Sequence, residues 1–330
     1  MKLLGGATRT QRTAPGSPPW RVVAAVLAGA LLPGAMGACG PGPFDSAART
    51  ATLSAGRGHA LADTRASASA LDAVSSPSRQ APLGSRPHQV LRVETQEILP
   101  HDPQAFTQGL EFRGGTLYES TGLVGRSSVR AGTPGKPPTL YADLSPPLFG
   151  EAITVSGDRL WHITWRDGIA IERDPTTLAE RRRVTYDGEG WGLCHRRVAG
   201  REQLVMSDGT DRLTFRDPST FEATDSIGVR HDGRAVTHLN ELECAPDGSL
   251  YANVYPTDMI VRIDPHTGTV TAHIDATGLL KPAERRRAQA LNGIAAVPGT
   301  DQFLLTGKFW PHMFKVAFVP KERPRAGLDG

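Results

Sequence analysis

From about residue 88 onward, short apolar runs of the chain alternate with polar positions and are separated by turn-forming residues. The run Met-Ile-Val-Arg-Ile at residues 259–263 is typical, and such short runs indicate β-strands. The longest stretch with a helical period covers only residues 283–291. The pattern predicts an all-β domain over residues 87–320, followed by a tail at residues 321–330.

An Asp-Pro turn recurs along this domain. Asp174-Pro175, Asp217-Pro218 and Asp264-Pro265 lie 43 and 47 residues apart, and each ends a strand-like run. Asp-Pro favours a turn between strands. Upstream of these turns lie strands with a leucine followed by an aromatic residue, as in Leu160-Trp161 and Leu250-Tyr251. The chain therefore contains an internal repeat.

The repeat extends to both ends of the domain, and its period identifies the fold class. Each repeat begins with a polar residue or tryptophan, and these leading positions follow one another at intervals of 40 to 52 residues: Gln108, Glu151, Trp191, Asn240 and Asn292. Periods of this size in an all-strand sequence are typical of four-stranded propeller blades. We predict a five-bladed β-propeller. A β-solenoid has shorter repeats, paired sandwiches would not repeat the polar position, and residues 40–86 lack the composition for a sixth blade.

Residues at one repeat position meet around the axis of a propeller, because the first strand of each blade lines the central channel. The leading positions form one such ring. A second ring lies at the end of the following strand and contains Gly122, Trp165, Gly209, Tyr255 and Lys308. One carboxylate, one ammonium, amides and aromatic rings in one place predict a small-molecule pocket. The alternative is that the polar residues bind channel water while the aromatic residues pack between sheets.

These positions lie in longer strings that resemble the plant and bacterial type of glutaminyl cyclotransferase. The resemblance covers about residues 89–318, and its strings are Ala-Phe-Thr-Gln-Gly-Leu at 105–110, Tyr-Glu-Ser-Thr-Gly at 118–122, Phe-Gly-Glu at 149–151, Thr-Trp at 164–165, Gly-Trp-Gly-Leu at 190–193, Leu-Asn-Glu-Leu-Glu at 239–243, Leu-Asn-Gly-Ile at 291–294 and Thr-Gly-Lys at 306–308. It implies a five-bladed propeller that converts the N-terminal glutamine of peptides and proteins to pyroglutamate and releases ammonia, without a catalytic metal or cofactor.

The resemblance also implies site residues. The family's catalytic carboxylate matches Glu151, and its substrate pocket matches Phe106, Gln108, Trp165, Trp191, Asn240 and Lys308. This chain departs from the family at Tyr255, where a tryptophan is usual, and at Ala152, where glycine is frequent. We expect Tyr255 to bind substrate, and its smaller ring to affect affinity and substrate range.

The reaction suggests a role for each type of side chain. Glu151 can take a proton from the substrate amine and return it to the leaving nitrogen. The two indole N–H groups and the Lys308 ammonium are donors only, so they suit the developing oxyanion, while Gln108 and Asn240 can orient the carboxamide. We predict no catalytic role for three further glutamates of the family strings, because they fit hydrogen bonding between blades equally well: Glu119, Glu241 and Glu243.

Charge and histidine spacing narrow the functional classes. The formal net charge is +3 with both signs interspersed, which argues against a nucleic-acid partner. The 10 histidines show no spacing typical of a zinc site, so no metal ligands are predicted. Two rival functions remain, a calcium-dependent lactonase of the six-bladed type and a non-catalytic propeller that binds peptide ends. A monomer is expected.

The N-terminal region predicts export. Arg9, Arg12 and Arg21 precede an apolar run at residues 22–32 that is too short for a stable membrane span but suits a signal peptide. Residues 35–39, Ala-Met-Gly-Ala-Cys, resemble a bacterial lipoprotein box with Cys39 as the acylated residue. We predict a signal peptide at 1–38 and an extracellular or membrane-anchored protein; ordinary cleavage and an uncleaved anchor are the alternatives.

The remaining features concern the tether and the cysteines. Residues 39–86 are rich in Ala, Ser, Arg, Gly and Pro, which predicts a flexible, disordered tether. Cys194 and Cys244 each follow the leading position of their blade within four residues, and the two blades are adjacent. In an exported domain this favours a disulfide over two separate buried thiols.

Overall fold

The structure is a computed structural model that describes residues 87–322. The predicted signal peptide, Cys39 and the tether lie outside the described residues. In chain order the elements are β1 Gln89–Pro100, β2 Thr107–Arg113, β3 Thr116–Thr121, β4 Ser128–Gly132, β5 Leu140–Asp143, β6 Gly150–Ser156, β7 Arg159–Thr164, β8 Ile169–Arg173, β9 Glu180–Thr185, β10 Gly192–Val198, β11 Arg201–Ser207, β12 Arg212–Arg216, β13 Ala223–Gly228, β14 Arg230–His231, β15 Arg234–Ala235, β16 Leu239–Cys244, β17 Leu250–Val254, β18 Met259–Ile263, β19 Val270–Asp275, α1 Pro282–Arg285, β20 Leu291–Ala296, β21 Phe303–Gly307 and β22 His312–Pro320.

The strands form five antiparallel, four-stranded blades. Blades 1 to 4 are β2–β5, β6–β9, β10–β13 and β16–β19, each in sequential order, and blade 5 has the order β20, β21, β22, β1. The first strands β2, β6, β10, β16 and β20 each pack against the first strand of the next blade, and β20 packs against β2. The blades therefore close into a ring, and the fold is a five-bladed β-propeller.

The N-terminal strand β1 closes this ring. It pairs antiparallel with β22 from Leu91 opposite Pro320 to Pro100 opposite His312, and so forms the outer strand of blade 5. Its first residues also pair parallel with β19 of blade 4, with Gln89 opposite Ala272. Both ends of the described chain are thus held in one blade.

The repeated Asp-Pro turns connect the third and fourth strands of blades 2, 3 and 4. The Asp174 carboxylate accepts the N–H groups of Thr176 and Thr177 at 2.7 and 3.1 Å, which caps the turn. The aromatic residues of the repeat bind the turn of the following blade. Tyr118 Oη donates to the Pro175 carbonyl, and Trp161 Nε1 donates to the Pro218 carbonyl, each at 2.9 Å. The repeat therefore encodes contacts between neighbouring blades.

Apolar residues between the blades supply the core. Between blades 2 and 3, Trp161 packs against Phe221 with ring centroids 4.7 Å apart, and both side chains are buried. A disulfide joins Cys194 in β10 to Cys244 in β16, with Cα atoms 5.5 Å apart, and so links blades 3 and 4. Hydrophobic burial and a covalent link thus hold adjacent blades together.

The helix in the structure is shorter than the helical pattern at residues 283–291 predicts. Helix α1 covers only Pro282–Arg285, because Leu291 already begins β20, where it pairs with Gly307. The residues between them return to the sheet, with the Gln289 N–H donating to the Lys308 carbonyl. In residues 87–322 no helix is long and apolar enough to cross a membrane.

Candidate active site

A cavity of about 210 Å³ lies at one end of the central channel. It is lined by all eight predicted catalytic and substrate-binding residues together with one that was not predicted: Phe106, Gln108, Phe149, Glu151, Trp165, Trp191, Asn240, Tyr255 and Lys308. Gln108, Glu151 and Asn240 are on first strands, whereas Trp165, Tyr255 and Lys308 directly follow second strands. The antiparallel hairpin brings these two positions to the same edge of each blade.

Two glycines of the second ring make room for this wall. A Cβ atom at Gly122 would come within 2.4 Å of the Phe149 ring, and one at Gly209 within 2.7 Å of the Trp191 ring. Gly209 also has a φ of +81°, which favours glycine. The second ring therefore contributes side chains from three blades and space from the other two.

Among residues 87–322, Glu151 is the only carboxylate that lines the cavity. Its side chain is buried, and its Oε2 atom has no hydrogen-bond partner in the described part of the chain. Burial raises the pKa of Glu151 well above its usual value, Lys308 partly offsets this, and the nearby Glu189 charge adds to it. Glu151 is thus a carboxyl group with a free oxygen and a raised affinity for protons.

Lys308 places a buried ammonium at the cavity from blade 5. Its Nζ atom donates to Gln108 Oε1 and to the Thr107 carbonyl, the latter at 3.3 Å, and lies 4.7 Å from the centre of the Phe106 ring. Burial lowers the pKa of Lys308 to about 8, against the charges of Glu151 and Glu241. Because an ammonium has three donors, one N–H remains for a ligand.

Two asparagines of the leading ring have different surroundings. Asn240 lines the cavity, and its Oδ1 atom has no partner among residues 87–322, although the residue is buried. Asn292 instead donates its Nδ2 to the carbonyls of Thr107 and Gln108 at 3.2 and 3.1 Å. Asn292 therefore fixes the backbone that carries Gln108, whereas Asn240 offers an acceptor to a ligand.

Aromatic rings form the wall of the cavity. Phe149 packs edge-on against Trp165 at 5.4 Å, and Trp191 packs edge-on against Tyr255 at 5.9 Å. Tyr255 is 36% exposed and lies at the mouth. Sequence reasoning missed Phe149 as a lining residue, although it directly precedes Gly150 and Glu151 in the family string and its side chain fills the space at Gly122.

Glu189 was also missed, and it changes the predicted roles of the tryptophans. Its Oε2 atom accepts the indole N–H groups of both Trp165 and Trp191, each at 2.9 Å. The indole donors expected to face a substrate oxygen therefore bind this carboxylate, and only the ring faces and edges of the two residues line the cavity. The signal that could have found Glu189 is its position two residues before Trp191.

Among Glu119, Glu241 and Glu243, the first two accept hydrogen bonds from several groups. Glu119 is bound by His101, Thr107 and Arg130. Glu241 accepts the N–H groups of Leu110 and Ile294 at 3.1 and 2.9 Å, which links blade 4 to blades 1 and 5. Burial raises the pKa of Glu241 and of Glu243. None of the three lines the cavity.

The fold and the pocket define the class of protein. It is a β-propeller with an aromatic pocket at the end of its channel, and in the described residues this pocket contains a carboxylate oxygen without a hydrogen-bond partner. The five blades are inconsistent with a lactonase of the six-bladed type. The chain belongs to the glutamine cyclotransferase family, because a model of that family matches residues 65–318. This confirms the resemblance carried by the sequence strings.

Two relatives agree with this assignment. Glutaminyl-peptide cyclotransferase of Arabidopsis thaliana is 37% identical over 237 residues, which is 69% of this chain and 72% of that protein. The crystal structure of Myxococcus xanthus glutaminyl cyclase superposes with a TM-score of 0.63 at 34% identity, covering 71% of this chain and 100% of that one. The propeller fold predicted from the repeats is confirmed.

Proposed function

We propose that the chain is a glutaminyl-peptide cyclotransferase that converts the N-terminal glutamine of peptides and proteins to pyroglutamate and releases ammonia. The observation that carries the proposal is the pair of buried acceptors at the cavity without a partner in the described structure, Glu151 Oε2 and Asn240 Oδ1. Buried polar atoms nearly always have a hydrogen-bond partner, so these two atoms are placed to accept hydrogen bonds from a ligand. An N-terminal glutamine supplies two donor groups, its α-ammonium and its carboxamide NH₂.

The reaction forms one C–N bond and breaks another. The α-amino nitrogen attacks the Cδ atom of its own side chain, giving a tetrahedral intermediate with a negative oxygen. The bond from Cδ to the amide nitrogen then breaks, and this nitrogen leaves as ammonia. The protein must therefore remove a proton from the attacking nitrogen, stabilise the oxygen and protonate the leaving nitrogen.

Glu151 carries both proton transfers. An α-amino group has a pKa of about 7.7 to 8.0, far above that of an ordinary carboxylate, so a normal glutamate is a poor base for it. Burial raises the pKa of Glu151 and reduces this difference. The free Oε2 atom accepts the ammonium proton as the bond forms, and the resulting carboxylic acid returns a proton to the departing nitrogen.

Lys308 stabilises the oxyanion. Its two contacts, to Gln108 Oε1 and to the Thr107 carbonyl, leave one N–H for the substrate oxygen. Gln108 is in turn held through its backbone by Asn292, so the ammonium is fixed before the substrate binds. The charge acts in a buried site, where an oriented donor is most effective.

The size of the cavity suits a single side chain. At about 210 Å³ it is smaller than the sites of drug-sized ligands, which take roughly 300 to 1,000 Å³. Aromatic walls desolvate the glutamine and the attacking amine together, while Tyr255 at the mouth meets the residue that follows. The rest of the peptide therefore lies outside the cavity, which fits substrates of varied length.

The direct test incubates the purified chain with Gln-Ala and follows ammonia in a coupled assay and pyroglutamyl-Ala by mass spectrometry. Asn-Ala and N-acetyl-Gln-Ala are matched controls, because the first has a shorter side chain and the second has no free amine. Ammonia release from Gln-Ala alone supports the proposal. Binding of Gln-Ala without ammonia release would instead identify the non-catalytic module that binds peptide ends.

We further propose that the chain is exported and acylated at Cys39, and that it acts as a monomer. The support is the order of three arginines, the apolar run at residues 22–32 and the lipoprotein-like residues 35–39. Mass spectrometry of the mature N-terminus from a bacterial membrane fraction tests this. We expect a lipidated Cys39 at the mature N-terminus, and a soluble product from the Cys39→Ala variant. An unmodified N-terminus at another residue would contradict acylation at Cys39.

A further inference from the structure

Three imidazoles meet at the outer edge of blade 4. His88 directly precedes β1, His273 lies in β19, and His231 lies in the β14–β15 hairpin that follows blade 3. One ligand nitrogen from each residue lies within 4.8 Å of the other two. Among residues 87–322 no other set of three or more His, Cys, Asp or Glu side chains has this arrangement.

The three imidazole rings lie in contact with one another. Their centroids are 4.4, 5.0 and 4.7 Å apart, and His88 Nε2 lies 2.8 Å from His273 Nδ1. A tetrahedral metal with bonds of about 2.0 to 2.1 Å to imidazole places two ligand nitrogens about 3.4 Å apart. The pair His88 and His273, now at hydrogen-bond distance, has to open by about 0.6 Å to ligate one ion.

Backbone pairing holds the three segments in place. β1 runs parallel to β19 with Val90 opposite His273, which puts His88 at the same edge. The hairpin is docked on blade 4 by the Arg230 N–H, which donates to the Gly268 carbonyl at 2.9 Å. The site is thus built from elements that are fixed without the ion.

The partners of these histidines differ from those of others in the domain. His101, His195 and His312 each contact a glutamate. His88 and His273 face imidazoles instead, and Asp232 lies 3.4 Å from His231 Nε2 with its side chain largely exposed. A carboxylate beside a ligating histidine is the usual outer partner in metal sites, or it can supply the fourth ligand itself.

We propose that His88, His231 and His273 form a binding site for one divalent transition metal of the zinc type. Imidazole nitrogen suits Zn²⁺, Ni²⁺ and Cu²⁺, whereas Ca²⁺ and Mg²⁺ require oxygen ligands. The ion fastens the start of the ring-closing strand β1 to blade 4 and to the preceding hairpin. It is distinct from the cavity, whose residues lie on or beside the inner two strands of their blades.

The test uses the full chain without an affinity tag, stripped with EDTA and titrated with ZnCl₂ by calorimetry and in thermal unfolding. We expect one high-affinity Zn²⁺ per chain and a rise in Tm, because an ion that binds only the folded state stabilises it. CaCl₂ and MgCl₂ should leave the Tm unchanged. His231→Ala should abolish both effects, and His266→Ala, which removes an exposed histidine of the same blade, should abolish neither.

Either of two results overturns this proposal. One is the absence of Zn²⁺ binding to the stripped chain. The other is binding that His231→Ala and His88→Ala leave as strong as in the wild type. Since His231 is in a short surface hairpin and His88 precedes the first strand, both variants keep the fold, which their unfolding curves without metal will verify.

A second inference comes from Glu189 and rests on the proposed cyclisation. Its Oε2 atom joins Trp165 of blade 2 to Trp191 of blade 3, and its Oε1 atom accepts Arg166 Nε at 2.8 Å. The Arg166 guanidinium lies 3.9 Å from the centre of the Trp165 ring. We infer that Glu189 is a positioning residue, which holds both indoles at the wall of the cavity.

Two substitutions separate the geometric and the electrostatic parts of this role. Glu189→Ala removes the shared acceptor, so we expect altered tryptophan fluorescence, a raised KM and a lowered kcat. Glu189→Gln keeps one acceptor oxygen for both indoles and removes the charge, so fluorescence and KM should recover. Because the Glu189 charge raises the pKa of Glu151, the acidic limb of kcat/KM should move to lower pH in Glu189→Gln.

The outcomes distinguish this inference from the proposed function. If the wild type releases ammonia and Glu189→Ala has the same KM, kcat and fluorescence, the positioning role is wrong. If the wild type releases none, the proposed function fails, and the fluorescence comparison still decides whether Glu189 holds the indoles.

Discussion

Glu119 and Glu151 are buried carboxylates of neighbouring blades with opposite surroundings. Glu119 is 4% exposed and accepts hydrogen bonds from His101 Nε2, Thr107 Oγ1 and Arg130 Nε at 2.9, 2.7 and 2.9 Å. Glu151 is 6% exposed, and its Oε2 atom accepts none from the described residues. Burial is nearly the same, but the partners differ.

The pKa values of Glu119 and Glu151 therefore shift in opposite directions. Burial acts to raise the pKa of Glu119, but the charges of His101 and Arg130 outweigh it and lower this pKa to about 2. Burial raises the pKa of Glu151, and neither an ion pair nor a backbone donor reverses it. Burial alone therefore does not identify the reactive carboxylate of this propeller. Glu151 differs from Glu119 in having a buried oxygen at the cavity without a partner among residues 87–322.

Glu151→Gln should have the largest effect. Glutamine keeps the size of the side chain but cannot take the ammonium proton, so kcat should fall by about 10² to 10⁴ with little change in KM. Ammonia release from Gln-Ala measures it. The free energy of unfolding should be unchanged or higher, because an unpaired buried acid is removed. A variant that keeps more than roughly a tenth of the wild-type kcat would move the proton transfer to another group.

Glu119→Gln should have the reverse profile. It leaves Arg130 and His101 without their buried partner, and breaking such a pair costs about 3 to 5 kcal/mol of stability. Urea unfolding at pH 7 measures the loss, while kcat per folded molecule should change far less than in Glu151→Gln. Since the pKa of Glu119 is lowered from 4.5 to about 2, its stabilisation is present above pH 4.5 and is lost toward pH 2. A loss that stays constant over that range would contradict the ion network.

Lys308→Met should lower kcat by about 10²-fold, as the removal of one oxyanion donor does. The pKa of Lys308 is about 8, so the wild type loses the ammonium as the pH rises through that value, and its activity should fall there. The variant should lack this fall. The measurement is the pH profile of kcat from pH 6 to 10. If the variant keeps the fall in activity at high pH, that fall belongs to another group.

Tyr255→Trp should have the smallest effect. The larger indole extends the wall at the mouth beside Trp191, and aromatic pairs contribute about 0.5 to 1.5 kcal/mol. We expect a lower KM for Gln-Phe, no more than about tenfold, with kcat unchanged. Tyr141→Trp, at an exposed tyrosine of blade 1, is the matched control and should leave KM unchanged.

Periodicity was sufficient to predict the propeller, because the Asp-Pro turns and leading polar positions recur once per blade. It could not predict the ring closure. The pairing of residues 89–100 with β22 and β19 depends on contacts across more than 170 residues. The β14–β15 hairpin was missed for a different reason, because each of its strands has two residues and so has no measurable period.

The repeat register brought seven of the eight predicted site residues together, and the family strings implied the eighth, Phe106; all eight line one cavity. The register could not show hydrogen bonding, which decides what each side chain can do. Trp165 and Trp191 were expected to donate to substrate, but Glu189 lies between blades in a loop that the repeat does not cover. Asn240 and Asn292 occupy the same repeat position. The difference between them comes from the neighbouring blade, because Asn292 donates a hydrogen bond to the Thr107 carbonyl of blade 1.

The closure of the ring sets the order of events during synthesis. Strand β1 is made first, and about 210 residues separate it from its antiparallel partner β22. At about 5 to 20 residues per second, a ribosome takes roughly ten to forty seconds to complete that interval. The nascent chain must therefore carry β1 without its main partner until the last strand emerges, and blade 5 is the final one to be completed. Without residues 312–320, blade 5 lacks its third strand and β1 lacks its antiparallel partner, so the ring cannot close.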